Sequence, residues 1–207
     1  RRPDRRWMTD MRNALPREAR ANLAVPAGSM PAFQRLLDEA QAMLLDELGD
    51  ADPGLMLELA PCSLDAVLAL DEQRIWLASL HAAPHGVRRM SRRVQGVVET
   101  SNNLGMVELK PSSGSCNFMV RSLLSSGSLA LADEIVSLFT LSGTRAECAG
   151  FYPGWSPNPA SPLLALCQSV YRRDFAAESR VQVIHAGLEC GIIGAKYPGM
   201  DIVSFGP

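Results

Sequence analysis

The stretch Val97–Lys110, Val-Val-Glu-Thr-Ser-Asn-Asn-Leu-Gly-Met-Val-Glu-Leu-Lys, reads as a strand. Pro111-Ser112-Ser113-Gly114 follows as a turn, and Ser115–Leu124, Ser-Cys-Asn-Phe-Met-Val-Arg-Ser-Leu-Leu, reads as the returning strand. Apolar and β-branched runs bounded by proline, serine and glycine are the signature of a hairpin. Side chains alternate along a strand, so Asn117, Met119 and Arg121 share one face. Cys116, Phe118 and Val120 take the other. Antiparallel pairing places Asn103 nearly opposite Arg121, with a one-residue slip as the uncertainty in register.

Helices flank this hairpin on both sides. Phe33, Leu36, Leu37, Ala40, Leu44 and Leu48 recur at helical spacing, with Ser29 or Met30 at the start, Pro31 in the first turn and Gly49 at the end. A single apolar stripe predicts that this helix lies on a sheet. Arg17–Val25 and Leu55–Ala60 read as strands, and Ser63 as the cap of a helix running to about His81. Arg88, Arg89, Arg92 and Arg93 read as a solvated cationic loop. Leu129, Ala132, Ile135, Val136 and Phe139 form a third helical stripe closed by Gly143, followed by a short strand at Arg145–Ala149. The pattern predicts an α+β fold, an antiparallel sheet covered by helices on one face, with two similar halves as an open option.

At Phe151-Tyr152-Pro153-Gly154-Trp155-Ser156-Pro157-Asn158-Pro159 prolines and aromatics cluster, as in a linker. Residues 1–150 and 151–207 are therefore read as two domains. In the second, Ser161 and Pro162 open a helix carrying Leu163, Leu166, Cys167, Val170 and Tyr171 on one face. Strands at Val181–Ala186 and Asp201–Phe205 would complete a strand-helix-strand piece of a partial α/β domain.

Composition narrows the function. The chain has 207 residues, 47% of them hydrophobic, enough for a packed core. A net charge of -2 gives no reason to expect nucleic acid or an anionic membrane as partner. No apolar run reaches the roughly 18 residues of a membrane span. Arg1-Arg2-Pro3-Asp4-Arg5-Arg6 lacks both an initiator methionine and an apolar signal region, so the expectation is a chain cut from a longer one. Five cysteines at wide spacings read as free thiols of a reducing compartment. His185 and Cys190 lack the second pair that a zinc site needs.

His185-Ala186-Gly187-Leu188-Glu189-Cys190-Gly191 puts an acid between two glycines after an apolar run. Glycine allows tight turns and lets another group come close. Glu189 reads either as a functional acid or as a helix cap or partner of an arginine. His185 reads as a packed, hydrogen-bonded core histidine.

This stretch, with Lys196-Tyr197-Pro198-Gly199-Met200-Asp201 and Ser204-Phe205-Gly206-Pro207, resembles the bacterial aminoacyl-histidine dipeptidases of the two-zinc peptidase superfamily. Arg12-Asn13-Ala14-Leu15-Pro16-Arg17-Glu18-Ala19, Val97-Val98-Glu99-Thr100-Ser101 and Tyr152-Pro153-Gly154-Trp155 extend the resemblance over nearly the whole chain. The resemblance implies that residues 1–150 are a lid domain, of a kind that also dimerises, and 151–207 part of the catalytic domain. It implies a lid arginine for the substrate's terminal carboxylate and a lid asparagine near the scissile carbonyl, matched here by Arg121 and Asn103. Glu189 is expected to contact substrate, and Asn13 to fix the entry of a lid strand. Read without the resemblance, Arg121 could instead satisfy a local acid, Glu99 or Glu108.

The resemblance also implies two zinc ions and a cytoplasmic enzyme that hydrolyses Xaa-His dipeptides. The superfamily's histidine, bridging aspartate and paired glutamates do not occur here: there is no H-x-D motif and no adjacent Glu-Glu pair. The expectation is therefore no zinc and no catalysis by this chain alone, the N-terminal catalytic portion being its missing partner. Homodimer formation is left open. The competing reading is a non-catalytic α+β dimerisation or ligand-binding module that shares only the architecture.

Overall fold

The computed structural model describes residues 18–156, 158–183 and 189–206. They belong to two compact units, one holding Leu70–Leu109 and Gly114–Pro207, the other Arg17–Ala69 and Lys110–Ser113.

The first unit is built on a sheet of three strands in the order β1-β2-β3: β1 Gly86–Met90, β2 Val98–Lys110 and β3 Ser113–Ser122. β1 runs antiparallel to β2, with Gly86 opposite Asn102 and Val87 opposite Ser101. Two helices, α2 (Leu70–Ala82) and α3 (Ser125–Leu141), supply the buried residues Trp76, Leu131, Ile135 and Phe139. Cys116, Phe118 and Val120 of β3 pack against them, as strand alternation predicts. Phe139 sits between two aromatic rings, 6.3 Å from Trp76 and 5.6 Å from Phe118, both tilted. Such aromatic contacts add roughly 0.5–1.5 kcal/mol each beyond burial. A Cβ on Gly114 would strike the Trp76 ring, so the turn glycine also makes room for the core tryptophan. The fold is α+β, with an antiparallel sheet.

Several expected elements take another form. The described residues of Arg17–Val25, together with Leu55–Ala60, Arg145–Ala149 and Asp201–Phe205, carry no strand, and neither do Val181–Val183. Alternation makes a segment able to be a strand; only a hydrogen-bonded neighbour makes it one. The helix expected from Ser63 begins at Leu70, where Asp71 and Glu72 place negative charge in the first turn. The arginines expected in a solvated loop start on a strand: Arg88 and Arg89 belong to β1. The β1–β2 register slips on both sides of Arg89. Such an irregularity lets two consecutive side chains reach the same side of a sheet.

The second unit contains α1 (Met30–Leu48), preceded by a short 3-10 turn at Ala27–Ser29. Pro31 lies in its first turn and Gly49 at its end, both as expected, and the Gly49 N–H donates to the Leu45 carbonyl. No residue of α1 is buried: of its apolar stripe, Phe33, Leu37, Ala40 and Leu44 are half-buried and Leu36 and Leu48 stand exposed.

In the first unit, α4 (Pro162–Phe175) and α5 (Glu189–Lys196) follow the proline-rich segment. Ser161 caps α4, its Oγ accepting from the Leu164 N–H at 3.0 Å. Asp201, 40 residues on, accepts from the Leu163 N–H at 3.0 Å and from the Ser161 hydroxyl at 2.7 Å. These bonds favour the carboxylate and hold the Asp201 carboxyl below the usual range, the Leu163 N–H contributing most. A depressed folded-state pKa stabilises above the unfolded value near 3.9 and is lost as pH falls through the folded value. Asp201→Ala should therefore lower the thermal midpoint at pH 7 and bring it no lower than wild type well below pH 3. Ser161→Ala should cost about 1 kcal/mol, the loss of an N-cap. Thermal and urea unfolding at both pH values measure these effects.

Candidate functional site

Arg121 lies one residue from the end of β3, half-buried. Its strand is rigid because Cys116, Phe118 and Val120 on the opposite face are held in the core. At this end of the hairpin the Leu123 N–H donates to the Glu99 carbonyl at 2.9 Å, and the Thr100 and Ser122 hydroxyls meet at 2.8 Å. Counting inward from these contacts puts Arg121 opposite Ser101. Asn103 then lies diagonally across from Arg121 on the same face, a separation of about 7–8 Å. Asn103 is half-buried and takes part in a bonding interaction of its own.

Of the two local acids that could have satisfied Arg121, Glu108 takes part in a bonding interaction of its own and Glu99 is paired with Arg89. Glu99 is 7% exposed, and its Oε1 stands 2.5 Å from Arg89 Nε. This is an ion-pair contact rather than an aligned hydrogen bond. Among the described residues no hydrogen bond or ion pair engages the Arg121 guanidinium. A guanidinium is a planar fork of donors suited to a carboxylate.

Glu189 is the first residue of α5 and is exposed, while Cys190 and Gly191 behind it are buried. A carboxylate there is favoured by the helix dipole, so the position has a structural use of its own. Asn13 and His185 lie outside the described residues.

Close backbone approaches join Glu189's helix to Arg121's strand. A Cβ on Gly191 would collide with the carbonyl oxygen of Pro153. A Cβ on Gly154 would collide with the backbone of Leu123 and Leu124, its nearest atoms all within 2.8 Å. The Gly154 N–H donates to Ser125 Oγ at 3.2 Å, at the start of α3. The close approach expected of Gly191 is thus realised against the Tyr152-Pro153-Gly154-Trp155 segment. Gly154 had no such role assigned from sequence; its place in a proline-rich run suggested only a linker.

A concavity lies on the helix side of the sheet. A cleft of 340 Å³ is lined by Arg88, Arg89, Thr100, Gly127, Ala130, Leu131 and Glu134. Its arginines are neutralised locally, Arg88 by Glu134 at 3.0 Å and Arg89 by Glu99. Arg93 donates to Ser156 Oγ at 3.2 Å. The arginine cluster is therefore partly structural, against the expectation of a solvated run. Thr100 and Ser122 face this cleft's side and Arg121 the other, so the cleft is not the carboxylate site. Burial raises the Cys116 thiol to about 11, which keeps it protonated and unreactive at neutral pH. Among the described residues no three His, Cys, Asp or Glu side chains come together as metal ligands. No helix among them is long and apolar enough to cross a membrane.

No protein-family model matches the chain. Over 198 residues it is 39% identical to the cytosol non-specific dipeptidase of Escherichia coli (strain K12), covering 95% of this chain and 41% of that protein. The crystal structure of aminoacylhistidine dipeptidase from Vibrio alginolyticus superposes with a TM-score of 0.82 and 36% identity, over 88% of this chain and 38% of that one. The chain thus spans about two-fifths of the length of the relatives it matches.

The Arg89–Glu99 pair yields a stability prediction. Arg89→Ala leaves a nearly buried carboxylate without its cation and should cost about 2 kcal/mol, below the 3–5 of a fully buried pair because Arg89 is half exposed. Adding Glu99→Gln should recover part of that loss in urea unfolding.

Proposed function

We propose, from the premise that this chain is a segment of the aminoacyl-histidine dipeptidase type, that the whole protein carrying it hydrolyses short dipeptides. Residues 1–150 act as the lid and 151–207 as part of the catalytic domain. In this reading Arg121 anchors the substrate's terminal carboxylate and Asn103 orients the scissile carbonyl. Glu189 contacts substrate from the catalytic segment. The observation that supports it most is a guanidinium on a core-anchored strand, with no engaged acid among the described residues, in a chain that matches dipeptidases almost end to end.

Two parallel hydrogen bonds from a fixed guanidinium set both the position and the direction of a carboxylate. With the substrate's end fixed, its peptide carbonyl is held at a defined distance from the reacting group, which lowers the entropic part of the barrier. Closure of such a lid also excludes water from the reaction. Hydrolases of this kind use a metal-activated water. In this reading the side chains that hold that metal lie in the rest of the whole protein. A preference for Xaa-His substrates and a cytosolic setting are drawn from the names of the relatives.

A second reading, a non-catalytic dimerisation or ligand-binding module, draws on the exposed leucines of α1, Leu36 and Leu48. The reading frame around the chain separates the two. A histidine, a bridging aspartate and paired glutamates upstream support the enzyme; their absence supports the module.

In the full-length protein, Arg121→Ala should raise KM for a free dipeptide about 100-fold, equivalent to the ~3 kcal/mol of a charge-assisted hydrogen bond. The same dipeptide amidated at its C-terminus should lose much less. Equal effects on both substrates would remove Arg121 from carboxylate binding. The isolated 207-residue chain, supplied with zinc, should leave dipeptides intact in a chromatographic assay; turnover that a chelator abolishes would overturn that expectation.

A further inference from the structure

We propose that Gly154 and Gly191 are positioning residues: together they set the distance between the helix end that carries Glu189 and the strand that carries Arg121. The inference rests on the functional reading above, in which both residues meet one substrate.

Three backbone layers lie in direct contact. The first is the start of α5, where Gly191 is buried. The second is Pro153–Gly154, whose Pro153 carbonyl faces Gly191. The third is Leu123–Leu124, immediately after β3, whose backbone faces Gly154. At each junction the atom that blocks a Cβ is main chain, which has no rotamer by which to move aside. A methyl group at either position must push one layer away from the next. The stack therefore has one thickness, set by van der Waals contact between main chains.

The stack ends close to the proposed site at both of its outer faces. Glu189 precedes Gly191 by two residues, and Arg121 precedes Leu123 by two. A substrate gripped from both sides needs the gripping groups held to about 0.5 Å. Side-chain packing leaves more freedom than that, since long side chains can change rotamer. Contact between main chains does not.

The other glycines of the region show that this is a property of position. A Cβ on Gly194, in the same helix α5, would meet only Ile202 Cδ1 at 3.6 Å, an ordinary contact. A Cβ on Gly206 would meet nothing within 4 Å. Gly154 is also tied laterally, through its N–H to Ser125 Oγ. Removing that hydroxyl loosens the middle layer without adding any atom to it.

The test uses the full-length protein and two substrates, a free dipeptide and the same dipeptide amidated at its C-terminus. Gly191→Ala and Gly154→Ala should each raise KM for the free dipeptide roughly 10- to 100-fold, the scale of an ångström's misplacement. The amidated substrate should change far less, and Gly194→Ala should match wild type on both. Ser125→Ala should move KM in the same direction by a few-fold; it decides the matter if the glycine variants do not fold. Folded glycine variants, or Ser125→Ala in their place, that keep the wild-type ratio of the two KM values would overturn the proposal while leaving Arg121's role standing. An Arg121→Ala variant with an unchanged ratio would overturn the carboxylate reading itself.

Discussion

The wedge of Phe139 between Trp76 and Phe118 gives the first unit its orientation. It brings α3 and α2 down on one face of the β2–β3 hairpin and leaves the opposite face without a helix from this core. Because strand residues alternate, every side chain committed to the wedge face sends its neighbour the other way. Phe118 and Val120 go inward, and Arg121 must go outward. The burial that stabilises the unit is the same event that presents a guanidinium on a fixed strand.

Charge is distributed with similar economy. Of the arginines near the hairpin, Arg88 and Arg89 are matched by Glu134 and Glu99, and Arg93 by a serine hydroxyl. Half-exposed pairs of this kind contribute modestly to stability, and less in high salt. Their consequence for the site is indirect. By occupying Glu99, Arg89 withdraws one acid of the neighbouring strand from competition for Arg121. A carboxylate brought by a ligand then meets no internal rival from that residue.

Reading along the chain found α1, α3, α4, β2 and β3 within a few residues, because each carries its own signals. Proline sits in the first turn of α1 and α4, serine caps α4, and Gly143, in the left-handed region at φ 78°, ends α3. The strands at Leu55–Ala60, Arg145–Ala149 and Asp201–Phe205 were misjudged for one shared reason. Each is short and carries apolar residues, but a ladder needs a second strand in register, and a one-dimensional pattern does not contain it. Asp201 illustrates what such a segment can do instead: it reaches across 40 residues to bond the first turn of α4 and its cap.

The candidate site divides along the same line. Which residue types could hold a carboxylate, and on which face of which strand they stand, followed from composition and a period of two. That Glu99 belongs to Arg89 was decided by the bulged pairing of β1 with β2, which brings a residue ten positions away alongside. The glycines show the division most clearly. Local chemistry marked Gly191 as a place where something could come close, since a residue without a Cβ removes an obstacle. Only the folded chain determined that the neighbour is the Pro153 carbonyl, and that Gly154 repeats the contact one layer further on. An absent side chain states a permission; the identity of what uses it depends on contacts between residues far apart in the chain.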